Sequence, residues 1–335
     1  MRKLIRILGR IAIGIFAIVM FAIVAFAIVS HTAWFRDYAR TKANAVLAGT
    51  LKGRLTVGGV QGSVWGDLVL SDIVLTYRGE RIAHIERMRV AYGILSLLDR
   101  TIDLTHLDIS GLDLSAKQDQ RGNWDAIEAL ASAHPAAPAA GGEKRFRVLV
   151  REISLERGAI KATRSDGGTF TLDDAALSGS AYMLESGIRA KLSSLSGQLR
   201  GPNLPTSTVY ADVSYQDVIK PGTAKVNAVR ISTRASQIEL TGAIGNLDTL
   251  SMDLRLDARK IGGADVSRFA AKWSPAADLS GNVHLVGSRP DLHLTIALDA
   301  ADAKVRGDIH ADLREPGPHY RGFIDVFNLQ PAHLL

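Results

Sequence analysis

Catalysis needs its reactive groups in particular company, and in this chain they are scattered. There is no cysteine, which removes disulfides, thiolate nucleophiles and Cys-ligated zinc or iron–sulfur sites together. Of the nine histidines, His284 and His293 lie near each other as VHLVGSRPDLHL, flanking a Ser-Arg-Pro-Asp turn that would set them on paired strands. No carboxylate or cysteine stands at ligand spacing beside them, so they read as histidines of a solvated face rather than as a metal pair. Asp103, Asp108, Asp113, Asp253 and Asp257 occupy the polar steps of alternating stretches, and no two of them separate from the rest as an acid and a base. Gly58, Gly59, Gly62 and Gly66 form a glycine-rich patch. It precedes a strand rather than a helix, so it offers no helix N-terminus to cradle a phosphate. P-loop, dinucleotide, nucleophile-elbow and zincin spacings are absent. The expectation is a protein that is not an enzyme and carries no cofactor or metal.

Strands would have to position any other kind of site. Residues 57–77 read VGGVQGSVWGDLVLSDIVLTY. Apolar residues alternate at Leu68 and Leu70, skip at Ser71–Asp72, and resume at Ile73, Leu75 and Tyr77. Period two means a strand with one apolar and one wet face. The skip recurs in IDLTHLDISGLDLSA, where Ile102, Leu104, Leu107, Ile109, Leu112 and Leu114 are spaced 2, 3, 2, 3, 2. It returns at Val148, Val150, Ile153 and Leu155. A helix wants steps of three and four, an unbroken strand only two. The pattern therefore predicts short strands kinked by bulges or tight turns.

Later segments, from RSDGGTFTL to YRGFIDVFNL, read as a plainer meander, with a hairpin turn at Asp166–Gly168. Two short helices are predicted, NWDAIEALASA and ADVSRFAAKWS, the second with Asp265 as N-cap and Pro275 as its stop. The Ala/Pro/Gly-rich stretch over residues 131–145 reads as a linker between β segments 54–130 and 146–335.

The N-terminus predicts topology. Ile11 to Val29 is a run of 19 apolar or glycine residues without a charge, about 28 Å as a helix and so close to a bilayer's hydrocarbon thickness. Ile11, Phe16, Phe21, Phe26 and Val29 mark this anchor, and Trp34 begins an interfacial aromatic belt. A cleaved signal peptide has a shorter apolar region followed by a small-x-small site, whereas Ala25-Phe26-Ala27 lies inside the run. The expectation is an uncleaved anchor over 1–30 with a cytoplasmic N-terminus, then a juxtamembrane helix over 31–53. Residues 1–42 hold seven Lys/Arg and one acid, which accounts for the whole net charge of +6 and leaves 33 of each sign among the other 293 residues. A neutral body lacks the basic stripe of a nucleic-acid binder.

The anchor is followed by VGGVQGSVWGDLVLSDIVL and then by IERMRVAYGILSLLDRTIDLTHLDISGLDLSAKQDQRGNW. The second stretch is similar to the AsmA-like/TamB group of Gram-negative envelope proteins. Tyr92 ends a strand, Leu97–Leu98 make a Leu-rich step, Ile102 to Ile109 form the next strand, and Gly122–Asn123 a Gly-Asn pair. The resemblance covers roughly residues 1–130 and lies in the order of degenerate motifs. It implies a protein of the bacterial inner membrane, single-pass, with the bulk of the chain periplasmic. It also implies a mainly β fold, an elongated, open, curled antiparallel sheet forming a taco-like groove with a few short helices. The implied role is phospholipid transport towards the outer membrane, or assembly of outer-membrane β-barrels and autotransporters with a BamA/TamA-like partner. Chains of this group are far longer than 335 residues, so the sequence reads as the N-terminal portion of such a protein.

On this reading the groove is lined by Leu68, Leu70, Ile73, Leu75, Leu104, Leu107, Ile109, Leu112, Leu114, Val150, Ile153 and Leu155. A sandwich, with two halves of the sheet packed face to face, satisfies the same alternation. A lining of Leu, Ile and Val with few aromatics favours the groove. A periplasmic spacer is a third reading.

Overall fold

The computed structural model describes residues 51–62, 66–93, 96, 99–131, 147–217, 222–246, 251–269, 278–288, 291–301, 303–312 and 319–328. The elements run β1 (Arg54–Gly62), β2 (Asp67–Tyr77), β3 (Glu80–Tyr92), β4 (Thr101–Lys117), α1 (Asp125–Leu130), β5 (Arg147–Thr163), β6 (Thr169–Leu184), β7 (Gly187–Gly201) and β8 (Leu204–Gln216). They continue with β9 (Thr223–Ser232), β10 (Gln237–Gly245), β11 (Ser251–Ile261), α2 (Gly263–Phe269), β12 (Leu279–Ser288), β13 (Asp291–Ala300), β14 (Ala303–Asp312) and β15 (His319–Phe327).

All fifteen strands belong to one open sheet whose spatial order is the sequence order, β1 at one edge and β15 at the other. Short turns join β2 to β3, β5 to β6, β6 to β7, β7 to β8 and β9 to β10. Tyr77 pairs with Glu80 across Arg78–Gly79, both at positive φ (53° and 85°), as the right-handed twist of a two-residue hairpin requires. The hairpin at Asp166–Gly168 closes with Gly167 N–H donating to the Arg164 carbonyl.

The resemblance implied an antiparallel sheet, and the sheet departs from that at one place. β4 and β5 run parallel, Leu107 opposite Ile153 and Ile109 opposite Leu155. Two parallel neighbours need a connection that returns the chain to its starting margin, and residues 118–146 supply it through α1. The expected linker over 131–145 falls inside this crossover and, apart from Ala131, lies outside the described residues. Segments 54–130 and 146–335 thus meet edge to edge in one ladder.

The strands are also longer than expected, up to 17 residues in β4 and β5. What looked like breaks between short strands are bulges inside long ones. Asp72 (φ 52°), Gly111 (69°), Arg157 (56°) and Asp174 (51°) each take the left-handed conformation. Pairing resumes on both sides of them, with Ser71 opposite Arg87 and Ile73 opposite Ile85. Because the strands insert a residue at a shared level, register survives while the ladder bends. At Gly111 a side chain would run into the Glu86 carboxylate. Gly58, Gly59 and Gly62, expected to precede a strand, lie within β1.

Both helices sit at one margin of the sheet. Leu75, Ile82 and Ala129 form a small closed core, with Leu55, Tyr77, Ala83, Leu114 and Ala126 packed on it. Ala129 and Ala131 carbonyls accept from the Gly53 and Lys52 N–H groups. The Tyr77 hydroxyl donates to Glu128 at 3.0 Å. In α2, Asp265 is not the N-cap. It stands inside the first turn, where its carboxylate accepts from the Thr233 and Ser236 hydroxyls at 2.5 Å each and so anchors the helix to the β9–β10 turn. No helix among the described residues is long and apolar enough to cross a membrane. The expected anchor, with Ile11, Phe16, Phe21, Phe26, Val29 and Trp34, lies outside them, as does the juxtamembrane helix up to residue 50.

Candidate functional site

Residues opposite each other in a ladder point to the same face, and following the register from strand to strand traces that face across the sheet. Val60 is opposite Leu70, Leu70 opposite Met88, and Met88 opposite Ile109. Ile109 is then opposite Leu155, and the row proceeds through Leu177, Leu195 and Ala211 to Val229. It continues through Leu240, Leu256, Val283, Ile296 and Gly307 to Ile324 on the last strand. Every strand contributes one position, and none of the fifteen is polar.

A second full row lies beside it, through Leu68, Val90, Leu107, Ile153, Gly179 and Leu192, reaching Leu294, Ile309 and Gly322. A shorter row joins Ile73, Ile85 and Leu112. Leu75 is opposite Ala83, which is opposite Leu114, and Leu104 is opposite Val150. The structure therefore brings all twelve predicted lining residues onto one face. It also adds a part of that face that sequence reading left unassigned, from β6 to β15. The signal for it was present in plain alternation, such as LHLTIALDA, but each segment alone leaves the identity of the face open.

Burial varies along this face, and Leu155 and Ala211 in mid-row are buried at 7% exposure. Val57, Ile73 and Leu75 are buried at 5% exposure, in and beside the α1 core. Leu104, Leu107, Ile109, Leu112, Val150 and Ile153 are only half-buried. Facing side chains in a closed sandwich become fully buried, so the described residues form one sheet with an uncovered apolar face rather than a sandwich. Among the described residues, sustained contacts outside the sheet ladder are those of the two helices, α1 with β2 to β4 and α2 with β8.

The opposite face is polar and laced with cross-strand ion pairs. Arg151 donates to both Asp103 oxygens at 2.8 Å. These hydrogen bonds hold the Asp103 carboxyl below the usual carboxylate range, and the guanidinium charge adds to them against the opposing effect of burial. Arg157 reaches Glu86 at 3.2 Å and the Ser110 hydroxyl at 2.6 Å. His106 meets Glu152 at 3.1 Å, and His84 meets Asp72 at 2.9 Å. The bulge residues thus present their charges to water while their neighbours stay on the apolar side. At the margin away from α1, burial pushes the Tyr92 hydroxyl above its ordinary pKa, and Tyr92 lies opposite Leu104 on the apolar face.

His284 and His293 share the polar face but do not oppose each other. His284 is opposite Thr295 and His293 opposite Val286. His284 instead contacts Asp253 at 2.7 Å. Compared with known proteins, the chain matches no family model, no curated protein and no solved structure.

Proposed function

We propose that the uncovered apolar face is a binding track for lipid acyl chains, in a protein anchored in the bacterial inner membrane that shields phospholipid tails on their way between the inner and outer membranes. The unbroken apolar row across fifteen strands carries this reading. Fourteen inter-strand spacings of about 4.8 Å make it on the order of 65 Å long, several times the length of one acyl chain. Each methylene taken from water onto such a surface gains about 0.8 kcal/mol, without any polar contact. Apolar patches of this extent mark binding surfaces. In the proposal the repeated bulges curl the sheet into a trough, and the role is non-catalytic. The expected anchor and the motif order resembling the AsmA-like/TamB group support the same reading.

The test is native mass spectrometry of the full chain purified in detergent. Phospholipid should co-purify with the native protein. It should be lost from Ile109→Lys and Leu107→Lys, whose side chains lie mid-track, and retained by Arg157→Gln on the polar face. Retention of lipid by both lysine variants sinks the proposal.

A second reading has its own observation. All nine residues of β15, the last strand among the described residues, are exposed, including Phe323, Ile324 and Val326, and the margin of a sheet is where an incoming strand adds. As an assembly factor for outer-membrane β-barrels, the protein would fail when Pro replaces Val326 and tolerate Ile109→Lys.

A further inference from the structure

On the polar face near the β15 end, two strands place three metal-ligating side chains together. His293 of β13 and His310 of β14 are direct cross-strand partners, and their rings stack at 4.2 Å with an 8° interplanar angle. Asp308 precedes His310 by two residues and so shares its face. Its Oδ1 lies 3.0 Å from His293 Nε2 and 3.8 Å from His310 Nε2. One ligand atom from each of the three lies within 4.8 Å of the others, and all three residues are half-buried.

We propose that His293, His310 and Asp308 bind a divalent transition-metal ion of the Zn²⁺ type, with water completing the coordination. The inference is independent of the role assigned to the apolar face. Zn²⁺ takes imidazole nitrogen at about 2.0–2.1 Å and carboxylate oxygen at about 2.0–2.2 Å in a tetrahedral shell. Ligand atoms in such a shell stand about 3.3–3.5 Å apart, between the two Asp308–histidine separations found here, and the stacked rings turn towards each other to aim both nitrogens at one ion. Two imidazoles with one carboxylate suit borderline cations rather than Ca²⁺ or Mg²⁺. Other histidines on this face, His84 with Asp72 and His284 with Asp253, each meet a carboxylate at hydrogen-bond distance, and the grouping of three ligand side chains that the described residues show is His293, Asp308 and His310.

The surroundings set the terms. Thr295 of β13 and Phe323 of β15 flank Asp308, and Arg321 of β15 stands opposite His310. Arg321 and Arg306 are cations that a metal ion must tolerate; Arg306 lies two residues before Asp308 on the same strand face and pairs with Asp299 at 2.8 Å. A hollow of about 380 Å³ lined by Asp291, Asp312 and His319 as well as His310 and Arg321 opens beside the cluster and gives an ion access.

The experiment is calorimetric titration of Zn²⁺ into the full chain in detergent, prepared without a polyhistidine tag. One ion should bind per chain. His293→Ala and His310→Ala should each weaken binding roughly tenfold or more, Asp308→Asn should weaken it with its shape preserved, and Arg321→Gln should tighten it. His284→Ala, a histidine of the same face outside the cluster, should leave it unchanged. Circular dichroism checks that each variant is folded. Imidazole ¹⁵N shifts of the native protein supply a readout that needs no variant, two histidines moving together on Zn²⁺ addition. Absence of binding by the native chain at tens of micromolar Zn²⁺, or equal loss in His284→Ala, overturns the assignment.

Discussion

Single residues decide the contrast between the two faces. Asp103 shows how. Its side chain is only 15% exposed, yet it stays charged because Arg151 donates two hydrogen bonds to it. Its carboxyl pKa is lower in the folded protein than in the unfolded chain. The stability contributed by the pair is therefore fully present above about pH 4, the ordinary carboxylate pKa. It is lost as the pH falls through the lower folded-state value, when the carboxylate protonates. The thermal midpoint of the native protein should accordingly fall as the pH drops below about 4, and Asp103→Asn should lower the midpoint at pH 7 while flattening that acid decline. An unchanged acid slope in the variant would assign the decline to other carboxylates.

At the scale of elements, the inserted residue is the device that lets long strands curve without losing register. Asp72 sits between Leu70 and Ile73 at φ 52°, and on both sides of it β2 keeps pairing with β3. Removing it leaves β2 one residue short of β1 and β3, which keep Gly58 and Glu86 at that level, so Ile73 and Leu75 lose their register with Val57, Leu55, Ile85 and Ala83. Each of these buried side chains stabilises by roughly 1.5–3 kcal/mol, so deletion of Asp72 should abolish folding of the β1–β3 end. Asp72→Gly keeps the residue count and suits the backbone, and should shift stability by less than about 1 kcal/mol. Far-UV circular dichroism with denaturant melting separates the two. Equal behaviour of deletion and Gly variant would remove the bulge from the account.

The whole molecule combines a closed end with an open track, and truncation of equivalent leucines should report the difference. Leu75 lies in the α1 core at 5% exposure, so Leu75→Ala should cost about 2–4 kcal/mol. Leu107 is half-buried on the open face, and with its environment already wet Leu107→Ala should cost about 1 kcal/mol or less. Its effect should fall instead on lipid retention. Denaturation midpoints of the two variants, measured in the same detergent, check this. A penalty for Leu107→Ala as large as that for Leu75→Ala would mean that the face is covered in solution.

Much of this was legible in the residues themselves. Steps of 2, 3, 2 exposed the bulges at Asp72 and Gly111 because side-chain direction along a strand is a local property, fixed by the pleat. The same local rule put Leu68, Leu107 and Ile153 on one side of their strands. Three things needed the folded chain. The parallel pairing of β4 with β5 depends on where the 118–146 crossover returns, and the approach of Asp308 and His310 to His293 depends on strand register. The openness of the apolar face depends on what else the chain can lay upon it. Alternation requires an apolar face, but whether that face is covered is a long-range property. Here the described chain supplies two short helices at one margin and leaves most of the face without a covering layer.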